Sequence, residues 1–204
     1  MRAGRIVSLA ALTAVAGLTL GVARAEDLDV PALFGSAKAS FEAKKYGKAM
    51  ADLNLIAGEL GRLRVEVLTK ALPAAPSGWT ADEPEGNAGI GAFAIGFAQA
   101  NRRYAKGDDV SVRVELYADA PAMVAPVQSL LSMAGMMGGA VKVVTVKGRK
   151  AVLQMNGDKN GSLMVLLAPP NSMLKFEGQG TPKGDLEAFA GGLDLDAIEK
   201  LVAE

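Results

Sequence analysis

FAQANRRYAKGDDVSVRVELYA, residues 97–118, decides the fold. In its second half Val110, Val112, Val114, Leu116 and Ala118 alternate with Ser111, Arg113, Glu115 and Tyr117, and Asp119 continues the polar set. Successive side chains of a strand point to opposite faces, so this alternation predicts a strand with one buried face. Lys106-Gly107-Asp108-Asp109 is turn chemistry, and it predicts that residues 97–105 pair with 110–118 as a hairpin. An antiparallel pair with one apolar face needs helices or a second sheet to cover it.

Reading toward the C-terminus supplies both strands and cover. Asp119-Ala120-Pro121 opens a helix, PAMVAPVQSLLSMAGMM (residues 121–137), which ends at Gly138-Gly139. A second hairpin is predicted between 141–147 and 150–156 around Gly148. Two further strands, 162–168 and 172–178, flank Pro169-Pro170-Asn171. Thr181-Pro182 and Asp194-Leu195-Asp196 are starts for two C-terminal helical segments. The expected fold is α+β: an N-terminal helical hairpin packed on an antiparallel sheet of about six strands, with one inserted helix and C-terminal helices.

Reading toward the N-terminus, residues 29–72 carry the hairpin. Asp29 before Pro31 is a start signal, and Leu33, Phe34, Ala37 and Phe41 recur at helical spacing. After Tyr46-Gly47, Ala49, Leu53, Ile56, Leu60, Leu63 and Val67 are spaced 4-3-4-3-4, one apolar seam along a helix of about 25 residues. Glu59–Arg62, Arg62–Glu66 and Glu66–Lys70 have the spacing of helix-surface ion pairs. Gly58 and Gly61 either weaken the helix locally or let another backbone approach closely. The seam is expected to dock on the sheet, so that Leu60→Asp would cost several kcal/mol by burying an unpaired charge. Leu72-Pro73 to Pro76-Ser77-Gly78 reads as a connector. Residues 80–96 read as loop, and Gly89-Ile90-Gly91 is not a dinucleotide fingerprint, lacking a preceding strand, a GxGxxG frame and a following helix.

The first 25 residues have a different character. Arg2 and Arg5 precede an apolar run from Ile6 to Val22, and Ala23-Arg24-Ala25 fits a small-x-small cleavage site. The expected organisation is a signal peptide at 1–25, a helical hairpin at 26–72 and an antiparallel α+β sandwich domain at 73–204. Loss of Arg2, Arg5 and Arg24 with the leader leaves 19 basic against 22 acidic residues, a net charge of −3. That balance argues against nucleic acid as a partner. No later stretch approaches the run of roughly 20 apolar residues that spans a bilayer, so no transmembrane segment is expected after cleavage. The chain has no Cys, hence neither disulfides nor a lipid-attachment thiol; the periplasm is the expected compartment.

The chain also has no His. Ser/His/Asp and Cys/His catalytic units are excluded, as are imidazole and thiolate metal sites. Met133, Met136 and Met137 lie close together on one predicted helix, where thioethers suit Cu(I) but core filling is the plainer role. Asp82, Glu83 and Glu85, and the pair Asp108-Asp109, lack the alternation of a calcium loop. Asp194 and Asp196 read as a helix start. Arg102-Arg103, Lys142, Lys147, Arg149 and Lys150 are strand or turn cations, read as edge protection rather than phosphate contacts. Trp79, the only Trp, reads as a core anchor. Catalytic, cofactor-binding and metal residues are therefore all assigned as none, no cofactor is expected, and single Ala substitutions at Asp108, Asp109, Glu115, Lys147 or Arg149 are expected to leave the fold intact.

Three resemblances add to this reading. FEAKKYGKAMADL, residues 41–53, resembles part of a tetratricopeptide repeat; it covers one helix–turn–helix and has no second copy. Pro76-Ser77-Gly78-Trp79 followed by hairpin, helix and meander makes residues 73–204 similar in outline to the PsbP/Mog1-like group of small lumenal and periplasmic accessory proteins. That resemblance implies an α/β/α sandwich and a protein-binding role, and carries no catalytic residue across. The whole chain resembles a family of uncharacterised exported bacterial proteins. The expected function is that of a non-enzymatic periplasmic accessory or interaction protein of the cell envelope, with an unknown envelope protein as partner; the alternative is a carrier of a small apolar ligand or lipid.

Overall fold

The computed structural model describes residues 28–89, 97–133 and 141–203. The leader, Gly91 and the segment with Met136 and Met137 lie outside these. Two helices come first, α1 (Val30–Glu42) and α2 (Tyr46–Ala71). Asp29 caps α1 as its sequence predicts, its side chain accepting from the Ala32 N–H at 2.9 Å, with Pro31 in the first turn. The helices pack along Ala37 and Ser40 of α1 and Ala49, Asp52 and Ile56 of α2, all buried. Asp52 is kept in this seam by Ser36, whose hydroxyl donates to it at 2.7 Å, and by Lys48, whose ammonium donates at 2.9 Å. Those two bonds hold its carboxyl below the ordinary range.

The strands are β1 (Thr80–Ala81), β2 (Glu85–Ala88), β3 (Ala98–Lys106), β4 (Val110–Ala118), β5 (Val141–Val146), β6 (Arg149–Met155), β7 (Gly161–Leu166) and β8 (Met173–Gln179). They form one antiparallel sheet in the order β1-β3-β4-β8-β7-β6-β5, with β2 also on β3. The described sheet thus has eight strands rather than about six. The two additional strands lie inside the stretch read as loop, and β2 ends one residue before Gly89, so a strand does precede it. The hairpin that decides the fold holds register, with Tyr104 opposite Val112 and Ala98 opposite Ala118. At the β5–β6 hairpin Lys147 and Gly148 both have positive φ, 47° and 81°, the combination that a tight two-residue turn needs.

Three further helices are α3 (Pro121–Met133), α4 (Lys183–Gly191) and α5 (Leu195–Ala203). On one face of the sheet Tyr104, Val112, Val114, Leu116, Leu174 and Phe176 pack with Leu68 and Leu72, Leu186 and Phe189 of α4, and Ile198 and Val202 of α5. On the other face Tyr117, Val152, Met164 and Met173 pack under Val124 and Val127 of α3. The predicted alternation along β4 therefore separates the main core from a face that is exposed at Arg113 and covered by α3 at Tyr117. Trp79 joins the main core edge-on to the Phe189 ring at 5.3 Å.

The long seam of α2 does not dock as expected. Leu53, Leu60, Leu63 and Val67 are 45%, 51%, 43% and 36% exposed, whereas Ile56 and Leu68 are buried. The sheet instead meets the opposite side of α2, through Val65, Leu68 and Leu72. Gly61 permits this approach, because a Cβ there would stand 2.7 Å from the Ala88 Cβ. The reason is length. α1 has 13 residues and α2 has 26, so α1 reaches only Ala49 and Ile56 of the seam and leaves Leu53 and the C-terminal half open.

Candidate functional site

The uncovered part of the seam lines an open groove of about 1110 Å³. Leu60, Leu63 and Val67 form one wall, Leu201 and Val202 of α5 another, and Pro169-Pro170 of the β7–β8 turn closes one side. Around this apolar floor Arg64, Asp119, Asp196 and Glu199 are held in ion pairs. The Arg64 guanidinium bonds the Asp119 carboxylate at 2.5 Å and donates to the Val202 carbonyl at 3.1 Å, tying α2 to α5. Arg149 donates from Nε and one terminal nitrogen to Glu199 at 3.0 and 2.7 Å, and it also pairs with Asp196. Glu199 additionally accepts the Ala168 N–H at 2.8 Å. The Arg149 guanidinium holds both carboxyls below their ordinary range.

This pairing changes the expectation for two of the basic residues. Arg149 is a clamp between β6 and α5, and Lys147 donates to the Leu193 carbonyl at 2.8 Å. Arg149→Ala is therefore expected to destabilise the fold, by about 1–3 kcal/mol for lost charge-assisted hydrogen bonds at a partly buried site. A carboxyl whose folded pKa is depressed contributes stability that is present above its unfolded value, roughly 4 for Asp and Glu, and is lost as pH falls through the folded one. The stability difference between wild type and Arg149→Ala should accordingly be full at neutral pH and shrink below about pH 4. Urea titrations of both proteins across that range measure it; a difference that persists unchanged at low pH contradicts the clamp.

The other predicted candidates do not converge. Asp108 and Asp109 are exposed in the β3–β4 turn, and Asp82, Glu83 and Glu85 lie along the chain into β2. Asp194 caps α5, accepting the Ala197 N–H at 3.1 Å. Arg102 donates to the backbone carbonyls of Asp82 and Pro73 at 2.7 and 2.9 Å. Arg103 and Lys150 are exposed, and Lys142 sits on β5, an outer strand of the sheet, where a lysine discourages edge pairing. Met133 is exposed at the end of α3. Among the described residues no group of three or more acidic side chains has the arrangement to hold a metal ion, and no helix is long and apolar enough to cross a membrane.

Sequence reading missed a second apolar stripe on α2. Tyr46, Met50, Leu53, Ala57 and Leu60 recur with 4-3-4-3 spacing, beside the stripe that faces α1. Tyr46 and Met50 are each 59% exposed. Phe41 of α1 meets Tyr46 edge-on at 5.7 Å, and Phe34, two turns earlier on α1, shares its side. The hairpin thus presents one broad apolar side to solvent, continuous through Leu60 with the groove. No protein-family model, curated protein or solved structure matches the chain, so the reading of this surface rests on its own geometry.

Proposed function

We propose that the chain is an exported, non-enzymatic interaction protein of the cell envelope, periplasmic after cleavage at Ala25, which works by binding through the apolar side of the α1–α2 hairpin and the adjoining groove. The observation that carries the reading is that side's exposure. A soluble monomer rarely leaves a contiguous apolar patch larger than a few hundred Å², and here three aromatic rings, Met50 and several leucines share one. The groove is open at the surface and borders the main core at Val202, which suits a docked helix better than an enclosed ligand.

The side-chain chemistry supports binding over catalysis. Acid–base catalysis near neutral pH needs a group tuned toward neutrality. The displaced groups move the other way. Asp52, Glu59, Glu66, Asp196 and Glu199 are pulled down by their cationic partners. Burial pushes the Tyr104 phenol up to about 12 and Tyr117 higher still. Burial pulls the Lys175 ammonium down, but Glu177 and Glu115 together more than offset it and leave it raised.

Purified protein assayed against ester, glycoside and peptide substrates is expected to show no turnover, and native mass spectrometry is expected to show chain without bound lipid. Robust turnover abolished by one carboxylate or Ser substitution, with stability unchanged, would falsify the binding reading. Stoichiometric lipid would replace it with that of a carrier.

A further inference from the structure

We infer that the occupant of the hairpin's apolar side is a second copy of this chain, paired antiparallel along α2 to make a four-helix bundle. The inference rests on the binding reading above and commits it to one partner. Its first support is the seam itself. Residues spaced 4-3-4-3 along a helix form the contact line for another helix with the same spacing, and along the Tyr46–Met50–Leu53–Ala57–Leu60 line Tyr46, Met50, Leu53 and Leu60 remain about half exposed, with Phe41 of α1 against the Tyr46 end alone. α1 lies against the neighbouring Ala49–Asp52–Ile56 stripe, and it makes no comparable contact with the sheet.

Four residues of the line, Met50, Leu53, Ala57 and Leu60, are self-complementary in one orientation, with Tyr46 falling beyond them toward Arg64 of the partner. With a two-fold axis midway between Leu53 and Ala57, Leu53 of one protomer meets the small Ala57 of its partner, and Met50 meets Leu60. Large side chains then face small or pliable ones, as interdigitated packing requires. Phe34 and Phe41 stand at the flank of each α2, placed to close over the partner helix. A parallel pair would align the C-terminal ends of both helices. Leu68 and Leu72 embed that end in the main core, so the two sheets would be driven together. The antiparallel pair places the sheets at opposite ends of the bundle.

Area points the same way. An aromatic side chain buries roughly 150–250 Å². Phe34, Phe41 and Tyr46 are 51%, 65% and 59% exposed. With Met50, Leu53 and Leu60 they leave several hundred Å² uncovered, approaching the roughly 800 Å² per partner of a standard interface. Pairing identical patches across a two-fold axis is also the commonest closed assembly.

The test uses the full mature chain. Sedimentation equilibrium at micromolar concentration is expected to give the dimer mass, and Leu53→Glu or Met50→Glu, both at exposed sites, to give the monomer with an unchanged circular dichroism spectrum. The chain has no Cys, so introduced thiols report cleanly. Met50→Cys combined with Leu60→Cys is expected to form a covalent dimer on mild oxidation, and Met50→Cys alone to remain monomeric under denaturing electrophoresis. Within one helix these two positions are about 15 Å apart, too far to bridge internally. A monomeric wild type, a dimer that survives both Glu variants, or equal cross-linking by Met50→Cys alone would overturn the inference. Each of these leaves the binding reading standing, whereas substrate turnover or bound lipid would overturn that reading whatever the mass.

Discussion

Leu68→Ala is expected to cost about 2–5 kcal/mol of stability, the range for deleting a fully enclosed leucine. Leu68 has no solvent exposure and stands where α2 crosses the main core, against strands of the sheet. Truncation leaves a cavity that the helix cannot readily collapse, because just before Leu68 it is held by Gly61 on Ala88 and by the Arg64 bonds to Asp119 and Val202. Leu60→Asp, eight residues earlier on the same helix, is expected to leave the isolated folded chain within about 0.5 kcal/mol of wild type, because that side chain is half exposed. Urea unfolding at concentrations low enough to keep the chain monomeric separates the two. Equal losses would return the docked face of α2 to the Leu60 side.

Phe189→Ala should be at least as severe, about 3–5 kcal/mol. The Phe189 ring is the hub of an aromatic cluster, edge-on to Trp79 at 5.3 Å and to Tyr104 at 4.9 Å, with Phe176 at 6.4 Å. Such pairs add about 0.5–1.5 kcal/mol beyond the area they bury. The Tyr104 hydroxyl in turn donates to the Pro73 carbonyl at 2.8 Å, so the cluster anchors the segment between α2 and the sheet. Trp79 is the single Trp and reports the change directly: its emission should shift to longer wavelength in Phe189→Ala while the chain is still folded. An unshifted spectrum would place Trp79 outside the cluster.

Strands with both a turn and an alternating face were legible in the sequence. Residues 97–118 and 141–156 carry Gly at their turns and an alternating apolar face, strict along 110–118 and 151–155, and both hairpins form within about a residue of expectation. β1 and β2 were not legible, because burial does not make them. Glu85, Gly86 and Asn87 are exposed, and β2 is held by backbone pairing with β3 and by the approach of α2 over Gly86. Periodicity likewise showed that α2 carries apolar stripes but not which side the sheet would take. That depends on the length of α1 and on Gly61, and it leaves Leu53, Leu60, Leu63 and Val67 of the expected interface exposed, with Ile56 buried. Arg149 was misjudged for a related reason: its partners lie 47 and 50 residues away, on a helix that sequence spacing cannot bring to it. The cap at Asp29 and the packing role of Trp79 are local or compositional, and both were read correctly.

The protein's function depends on which surface it uses. A photoreactive amino acid introduced at Leu53 in cells, compared with the same group at Arg113 on the exposed polar part of the opposite sheet face, tests this most directly. A protein adduct at twice the chain mass is expected from position 53, and none from position 113. No adduct from position 53, or a lipid-sized adduct in its place, would contradict pairing along α2.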